Sequence, residues 1–167
     1  MRKPILIALL LLAGLLTKAQ TTTPYLNANW MAADSVAKDI SGRLGNGYTI
    51  SETVVIDEAG RNLYELKSSE LNRLVNMELF QGKTGGDADM GKPAQKIIQQ
   101  VNITGLFADL YPVYAKMFDI TASADDIKAK GSTFIPAVKQ GSKLLLVSFS
   151  RSFANIPGEW LLQFKIN

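Results

Sequence analysis

The sequence predicts an α+β domain built on a five-stranded antiparallel sheet, its helices mostly on one face, in the order α-ββ-ααα-βββ. Three observations predict it. Near the C-terminus Trp160, Leu162, Phe164 and Ile166 recur at period two, with Glu159, Gln163 and Lys165 between them, the pattern of a half-buried strand. Around Asp57-Glu58-Ala59-Gly60 two alternating segments face each other across a tight turn, with Gly60 free to take positive φ. From Ser68 to Phe118, apolar residues recur at three and four, the spacing of helices that would cover such a sheet.

Arg2 and Lys3 form a charged start, and Ile5 to Leu16 is an unbroken apolar run. Thr17-Lys18-Ala19 supplies the small residues that a signal peptidase reads, so cleavage is expected after Ala19. A spanning helix needs about 20 apolar residues, and this run stops short of that. With no cysteine to carry a lipid, no stable membrane anchor is expected, and the mature chain should be soluble in the periplasm or medium. The formal charge of +3 is carried by the signal, because Arg2, Lys3 and Lys18 leave with it and 15 basic residues then balance 15 acidic ones. No stretch clusters Lys or Arg densely enough to suggest nucleic acid as a partner.

After a polar arm at residues 20–29, a single domain is expected over 30–167. Trp30, Ala33, Val36, Ala37, Ile40 and Leu44 form one helical stripe, stopped by Gly45-Asn46-Gly47. Asp34-Ser35-Val36 has the form of a short O-glycan site but reads as helix surface. Tyr48 to Asp57 is the first hairpin strand, with Tyr48, Ile50, Val54 and Ile56 on one face and Glu52 on that same face; Arg61 to Lys67 is its return. Ser68 or Ser69 is placed to cap a helix to about Phe80, with Leu71, Leu74, Val75 and Leu79 as its inner stripe.

A glycine-rich connector follows, QGKTGGDADMGK from Gln81 to Lys92, and Pro93 opens a further helix carrying Ile97, Ile98 and Val101. Asn102-Ile103-Thr104-Gly105 reads as the break after it, although the first three residues also spell a glycosylation sequon. Leu106 to Phe118 continues as a strongly apolar helix containing Pro112. Ser123 starts a short helix that Gly131 ends. Thr133 to Lys139 is a strand whose Pro136 argues for an edge. Leu144 to Val147 is apolar on both faces and belongs inside the sheet, and Pro157-Gly158 turns the chain into the last strand.

In element order alone, the chain resembles the profilin-like and PAS-like group, which includes roadblock-type and extracellular sensor modules. That resemblance implies helices packed mostly on one face of a five-stranded sheet, and either a small-molecule pocket between the two layers or a dimer face on the sheet. It carries no residue over.

The absence of histidine and cysteine removes Ser-His-Asp and Cys-His catalysis, histidine and thiolate zinc sites and histidine-ligated haem. Carboxylate chemistry, Ser-Lys nucleophiles and oxygen-ligated metals survive. Asp57-Glu58 and Asp125-Asp126 are adjacent acids at a turn and at a helix start, where acids are favoured structurally. Ser148, Ser150 and Ser152 have no identifiable lysine partner. In the glycine-rich stretch, Gly86 to Lys92 fails as a phosphate loop because Pro93 replaces the magnesium-holding hydroxyl. Asp87 and Asp89 begin like a calcium loop, but Lys92 and Ile98 occupy its glycine and glutamate positions, leaving at most a non-standard metal contact.

Ligand-binding candidates are Arg151 and Phe153 in the loop after the first C-terminal strand, and Tyr111, Tyr114 and Phe118 on the apolar helix. The function expected is an exported binding or protein-interaction module, with small-molecule sensing as one form of it and no cofactor. A carboxylate-dependent hydrolase is the alternative. The partners open to it are an unidentified protein, a small-molecule ligand, or a second copy docked through the sheet.

The exported form is expected to begin at Gln20 with no lipid attached. Intact-mass measurement on the periplasmic and medium fractions checks this; a membrane-bound chain retaining its first nineteen residues would refute it.

Overall fold

The computed structural model describes residues 25–85, 93–140, 143–152 and 156–167. The signal segment lies outside them. A 3-10 turn at Trp30–Ala32 leads into helix α1 (Ala33–Leu44). Gly45, Asn46 and Gly47 all take positive φ after it, so the predicted stop is realised by three successive residues at positive φ. Strands β1 (Tyr48–Ile56) and β2 (Arg61–Ser68) form the expected hairpin, with Gly60 at φ 56° in the turn. Helix α2 (Phe107–Phe118) accommodates Pro112, and α3 (Ala124–Lys130) is capped by the Ser123 hydroxyl, which accepts from the Asp126 N–H at 3.1 Å.

The expected five-stranded sheet is corrected to seven strands, all antiparallel, in the spatial order β1-β2-β3-β4-β7-β6-β5. The two added strands are β3 (Arg73–Lys83) and β4 (Lys96–Leu106), the segments whose spacing suggested helices. In β3, Val75, Met77 and Leu79 are wholly buried at period two, whereas Leu71 and Leu74, which a helix would have turned inward, are 37% and 49% exposed. Ser68 does cap a turn, its hydroxyl accepting from the Leu71 N–H at 3.1 Å. Asn72 then takes φ 49° and the chain leaves as a strand.

In β4, Val101 and Ile103 alternate inward, and Asn102 to Gly105 is strand interior, not a break. Gly105 is required there, since a Cβ on it would lie 2.9 Å from Val75 Cγ2. Thr84 N–H donates to the Gln95 carbonyl at 3.0 Å, so β3 and β4 form a hairpin where a helix-to-helix connector was expected. The resemblance to the profilin-like and PAS-like group rested on the element order α-ββ-ααα-βββ and goes with it, because four consecutive strands now follow the first helix.

Strands β5 (Ser132–Gln140), β6 (Lys143–Arg151) and β7 (Glu159–Ile166) follow α3. As expected, Pro136 falls on an edge strand and β6 runs inside the sheet. The C-terminal strand lies between β4 and β6, with Trp160, Leu162, Phe164 and Ile166 each at most 3% exposed. Helices α1, α2 and α3 bury Val36, Ile40, Leu110, Val113 and Ile127 in one cluster with these residues. All three therefore pack on the same face of the sheet.

The N-terminal arm is held where it is described. Tyr25 and Leu26 are buried, Asn27 N–H donates to the Ile98 carbonyl at 3.0 Å, and Ile98 N–H donates back to Ala28 at 2.9 Å. The Tyr25 hydroxyl donates to Asp39 Oδ2, which also accepts from Arg43 Nε at 2.9 Å. Burial first, and the bond to Asp39 second, raise the Tyr25 pKa above the usual tyrosine range.

Phe164→Ala is expected to cost about 3–5 kcal/mol through lost transfer energy and the cavity left behind. Lys67→Ala, at an exposed position, should stay within about 0.5 kcal/mol. Urea titration compares the two, and equal small effects would remove β7 from the core.

Candidate functional site

The alternate residues of the seven strands form the sheet's other face, which carries no helix among the described residues. A bulge between Ile50 and Glu52 breaks the β1 alternation, so Thr53 pairs with the buried Tyr64 and Val54 with Leu63. Glu52, Val54 and Ile56 are thereby turned away from Tyr48 and Ile50, with which simple alternation would have grouped them. Glu52 then stands directly opposite Glu65, a like-charge pairing that disfavours the sheet. The Ser51 hydroxyl donates to Glu65 Oε1 at 2.7 Å.

At the centre of this face one side chain gathers its neighbours. Asn102 Oδ1 accepts from Gln100 Nε2 and Gln163 Nε2, each at 3.0 Å, and Asn102 Nδ2 donates to Glu78 Oε2 at 3.5 Å. Glu78 in turn lies 3.8 Å from Arg61 Nη1, and the Arg61 guanidinium sits 5.9 Å from the centre of the Phe80 ring. The network therefore runs through β2, β3, β4 and β7 (register positions Arg61, Glu78, Asn102 and Gln163).

Two grooves flank it. The first, of about 480 Å³, has Val54, Leu63 and Ile156 as apolar walls, and all its charged lining residues, Glu52, Glu65, Glu78 and Glu159, are acidic. The second, of about 370 Å³, is lined by Phe134, Leu146, Ser148 and Gln163 with Lys165 as its one charged residue.

The predicted ligand-binding residues fall elsewhere. Tyr114 and Phe118 are 1% and 3% exposed in the core, the Tyr114 ring 5.0 Å from that of Phe149 and the Phe118 ring 5.7 Å from that of Phe164. Burial raises the Tyr114 pKa. Tyr111 stacks on Phe107 at 5.4 Å and donates its hydroxyl proton to the Ala122 carbonyl at 2.9 Å. Aromatic packing occupies the space that these three residues would have lined.

Arg151 closes the end of α3, its Nη2 donating to the Lys128 carbonyl at 3.3 Å and its backbone N–H to Gly131 at 3.0 Å. Phe153, Asp87 and Asp89 lie outside the described residues. Among the described residues, no group of three or more Asp or Glu side chains is placed to hold a metal ion. The sequon Asn102 is the hub of the mid-sheet network, and Ser35 is plain helix surface beside Asp34, which accepts from the Tyr64 hydroxyl at 2.8 Å.

Reading 68–80 and 93–102 as helices hid Glu78 and Asn102. The signal that places them was present in the alternation of Val75, Met77 and Leu79 with Asn76 and Glu78, and of Val101 and Ile103 with Asn102 and Thr104.

A second polar cluster lies on the helix side. Asp109, 3% exposed in the first turn of α2, accepts from Arg73 Nη1 at 3.1 Å through Oδ1. Its Oδ2 and the buried Tyr48 hydroxyl have no hydrogen-bond partner among the described residues. Burial, and after it the Asp109 charge, pushes the Tyr48 pKa up to about 12. Burial also pushes Tyr64 up to about 12.

Compared with protein-family models, curated proteins and solved structures, the chain matches none of them.

Tyr48→Phe removes a hydroxyl without a partner and should leave stability within about 0.5 kcal/mol of the wild type, or raise it. Tyr64→Phe should cost about 1–3 kcal/mol, because the Asn62 amide, which donates to Tyr64 at 3.1 Å, is left buried and unpaired. Both tyrosines hold their protons more tightly folded than unfolded. Their contribution is fully present below the unfolded tyrosine value of about 10 and is lost as pH rises toward 12. Urea midpoints should therefore fall over that window, and fall less steeply in Tyr48→Phe. Identical slopes in wild type and variant would refute the assignment.

Proposed function

We propose that this chain is an exported binding module whose interaction surface is the uncovered face of its sheet. The observation that carries the reading is the Asn102-centred network. Five polar side chains on four strands are joined on a face that no helix among the described residues covers, beside a groove with apolar walls. A concave, partly apolar surface with a few convergent polar groups is the usual form of a binding site.

The Glu52–Glu65 opposition supports the same reading, since a sheet under selection for stability alone has no use for two acids directly across a strand pair. Export is supported by the charged start, apolar run and Thr17-Lys18-Ala19 of the N-terminus. Among the described residues, no helix is long and apolar enough to cross a membrane.

Native mass spectrometry of the chain recovered from its own exported fraction tests the proposal. Wild type should carry a bound species, whether a second chain, another protein or a small molecule. Asn102→Arg and Gln163→Arg should lose it while circular dichroism stays unchanged. A wild type with nothing bound, or variants that retain the species at equal occupancy, would overturn the reading.

A further inference from the structure

We propose that the acidic groove on the open face binds a linear aliphatic polyamine, a chain of ammonium groups separated by three or four methylenes. The inference rests on the open face being the interaction surface, and it deepens that reading by naming the class of ligand.

The groove supplies partners for both parts of such a molecule. Val54, Leu63 and Ile156 are its apolar walls, and Glu52, Glu65, Glu78 and Glu159 are the only charged residues among the described ones that line it. The four acids stand on β1, β2, β3 and β7, so they are set out across the strands, at steps of about 4.8 Å from β1 to β3. A spacer of three or four methylenes covers about one such step. In the register, Glu52, Glu65 and Asn76 form one row, and Val54, Leu63 and Glu78 form the next. An ammonium seated between Glu52 and Glu65 therefore lays its methylenes over Leu63 and brings the next ammonium to Glu78. The volume of about 480 Å³ lies within the range of small-molecule sites.

The chain leaves most of these acids without a cation of its own. Glu52 and Glu65 face each other, and neither forms an ion pair with a described Lys or Arg. Glu159 Oε2 is buried and has no hydrogen-bond partner among the described residues. A buried carboxylate oxygen without a donor is costly, and a ligand ammonium supplies the donor. Two basic residues stand beside the groove without filling this need. Arg61 lies 3.8 Å from Glu78 and sits over the Phe80 ring, and Lys67, next beyond Glu65 on β2, is exposed and pairs with no described carboxylate. The acids are also too dispersed for one metal ion, since no three described carboxylates converge on a point. A basic peptide matches less well, because side chains on one side of an extended strand recur at about 6.8 Å.

Isothermal titration calorimetry of the purified exported chain with spermine, at physiological salt, tests the assignment. Wild type should bind it, and Glu52→Gln with Glu65→Gln should weaken binding about tenfold, the effect of losing two partly exposed ion pairs. Hexylamine, with a single ammonium, should bind far more weakly than spermine. Asp125→Asn with Asp126→Asn, at exposed positions on α3, should bind spermine as wild type does. Without spermine, the Glu52→Gln, Glu65→Gln chain should melt at or above wild type, because the opposed acids are gone. Saturating spermine should raise wild type above it, since a ligand stabilises the state it binds. Circular dichroism confirms that each variant is folded.

A wild type that gives no binding at millimolar spermine overturns the proposal. So does an equal loss of affinity in the Asp125, Asp126 variant, which reduces the effect to diffuse charge attraction. Trilysine binding more tightly than spermine assigns the groove to a basic peptide instead. A Glu52→Gln, Glu65→Gln chain that melts below wild type without spermine means that the acids serve the fold, and it overturns the proposal as well. If wild type ignores spermine yet carries another species that Asn102→Arg releases, the polyamine is refuted while the open face stands as the binding surface.

Discussion

The pairing of β4 with β7 is the contact on which the rest of this molecule depends. β1 to β4 form one meander and β5 to β7 another, each closed by local hairpins. Only the register from Gln100↔Lys165 to Leu106↔Glu159 joins them into one sheet. On the helix side of that seam Val101 meets Phe164, Ile103 meets Leu162 and Gly105 meets Trp160. Phe107, first residue of α2, continues the packing, its ring 4.7 Å from Trp160 and 5.5 Å from Phe149. The pairing is remote in sequence, so its loop-closure entropy must be offset by burial that only the finished core supplies.

The seam divides labour between the two faces. On one, aromatic packing from Phe107 through Phe149, Tyr114 and Phe118 to Phe164 brings the helices, the sheet and, through Tyr25, the N-terminal arm into one core. On the other, Asn102 and Gln163 link the two meanders by side chain. Close packing makes the first face a support that gives little under load. It holds the second face in a fixed shape, the condition for a surface to bind without first paying to order itself.

Several elements were legible because their signals are local. Gly45-Asn46-Gly47 stops a helix, Gly60 permits a tight turn, Ser123 and Gly131 bracket a short helix, and Pro136 belongs at an edge, whatever surrounds them. The open face was not legible, for two separate reasons. In β1 the bulge at Ser51 reverses the side on which Glu52 and Val54 emerge, and nothing in the alternation announces it. In β3 and β4 the residues satisfy two periods at once: Leu71, Leu74, Val75 and Leu79 make a helical stripe, and Val75, Met77 and Leu79 make a strand face. The candidate site fell with that ambiguity, since Glu78 and Asn102 take their positions from it.

The sequence by itself determined the stops at 45–47 and 57–60, the cap at Ser123, three helices, five of the strands and the burial of the C-terminal strand, because each depends on backbone preferences and on spacing within a dozen residues. It also determined which chemistries are closed to a chain without histidine or cysteine. The tertiary structure decided that residues 73–83 and 96–106 are strands. A segment able to bury an apolar set in either conformation takes the one whose backbone N–H and C=O groups find partners. Here β2 and β7 offered unpaired edges on both sides of the β3–β4 hairpin. That decision enlarged the sheet to seven strands, placed β4 at its centre and left a polar, hydrogen-bonded face uncovered among the described residues.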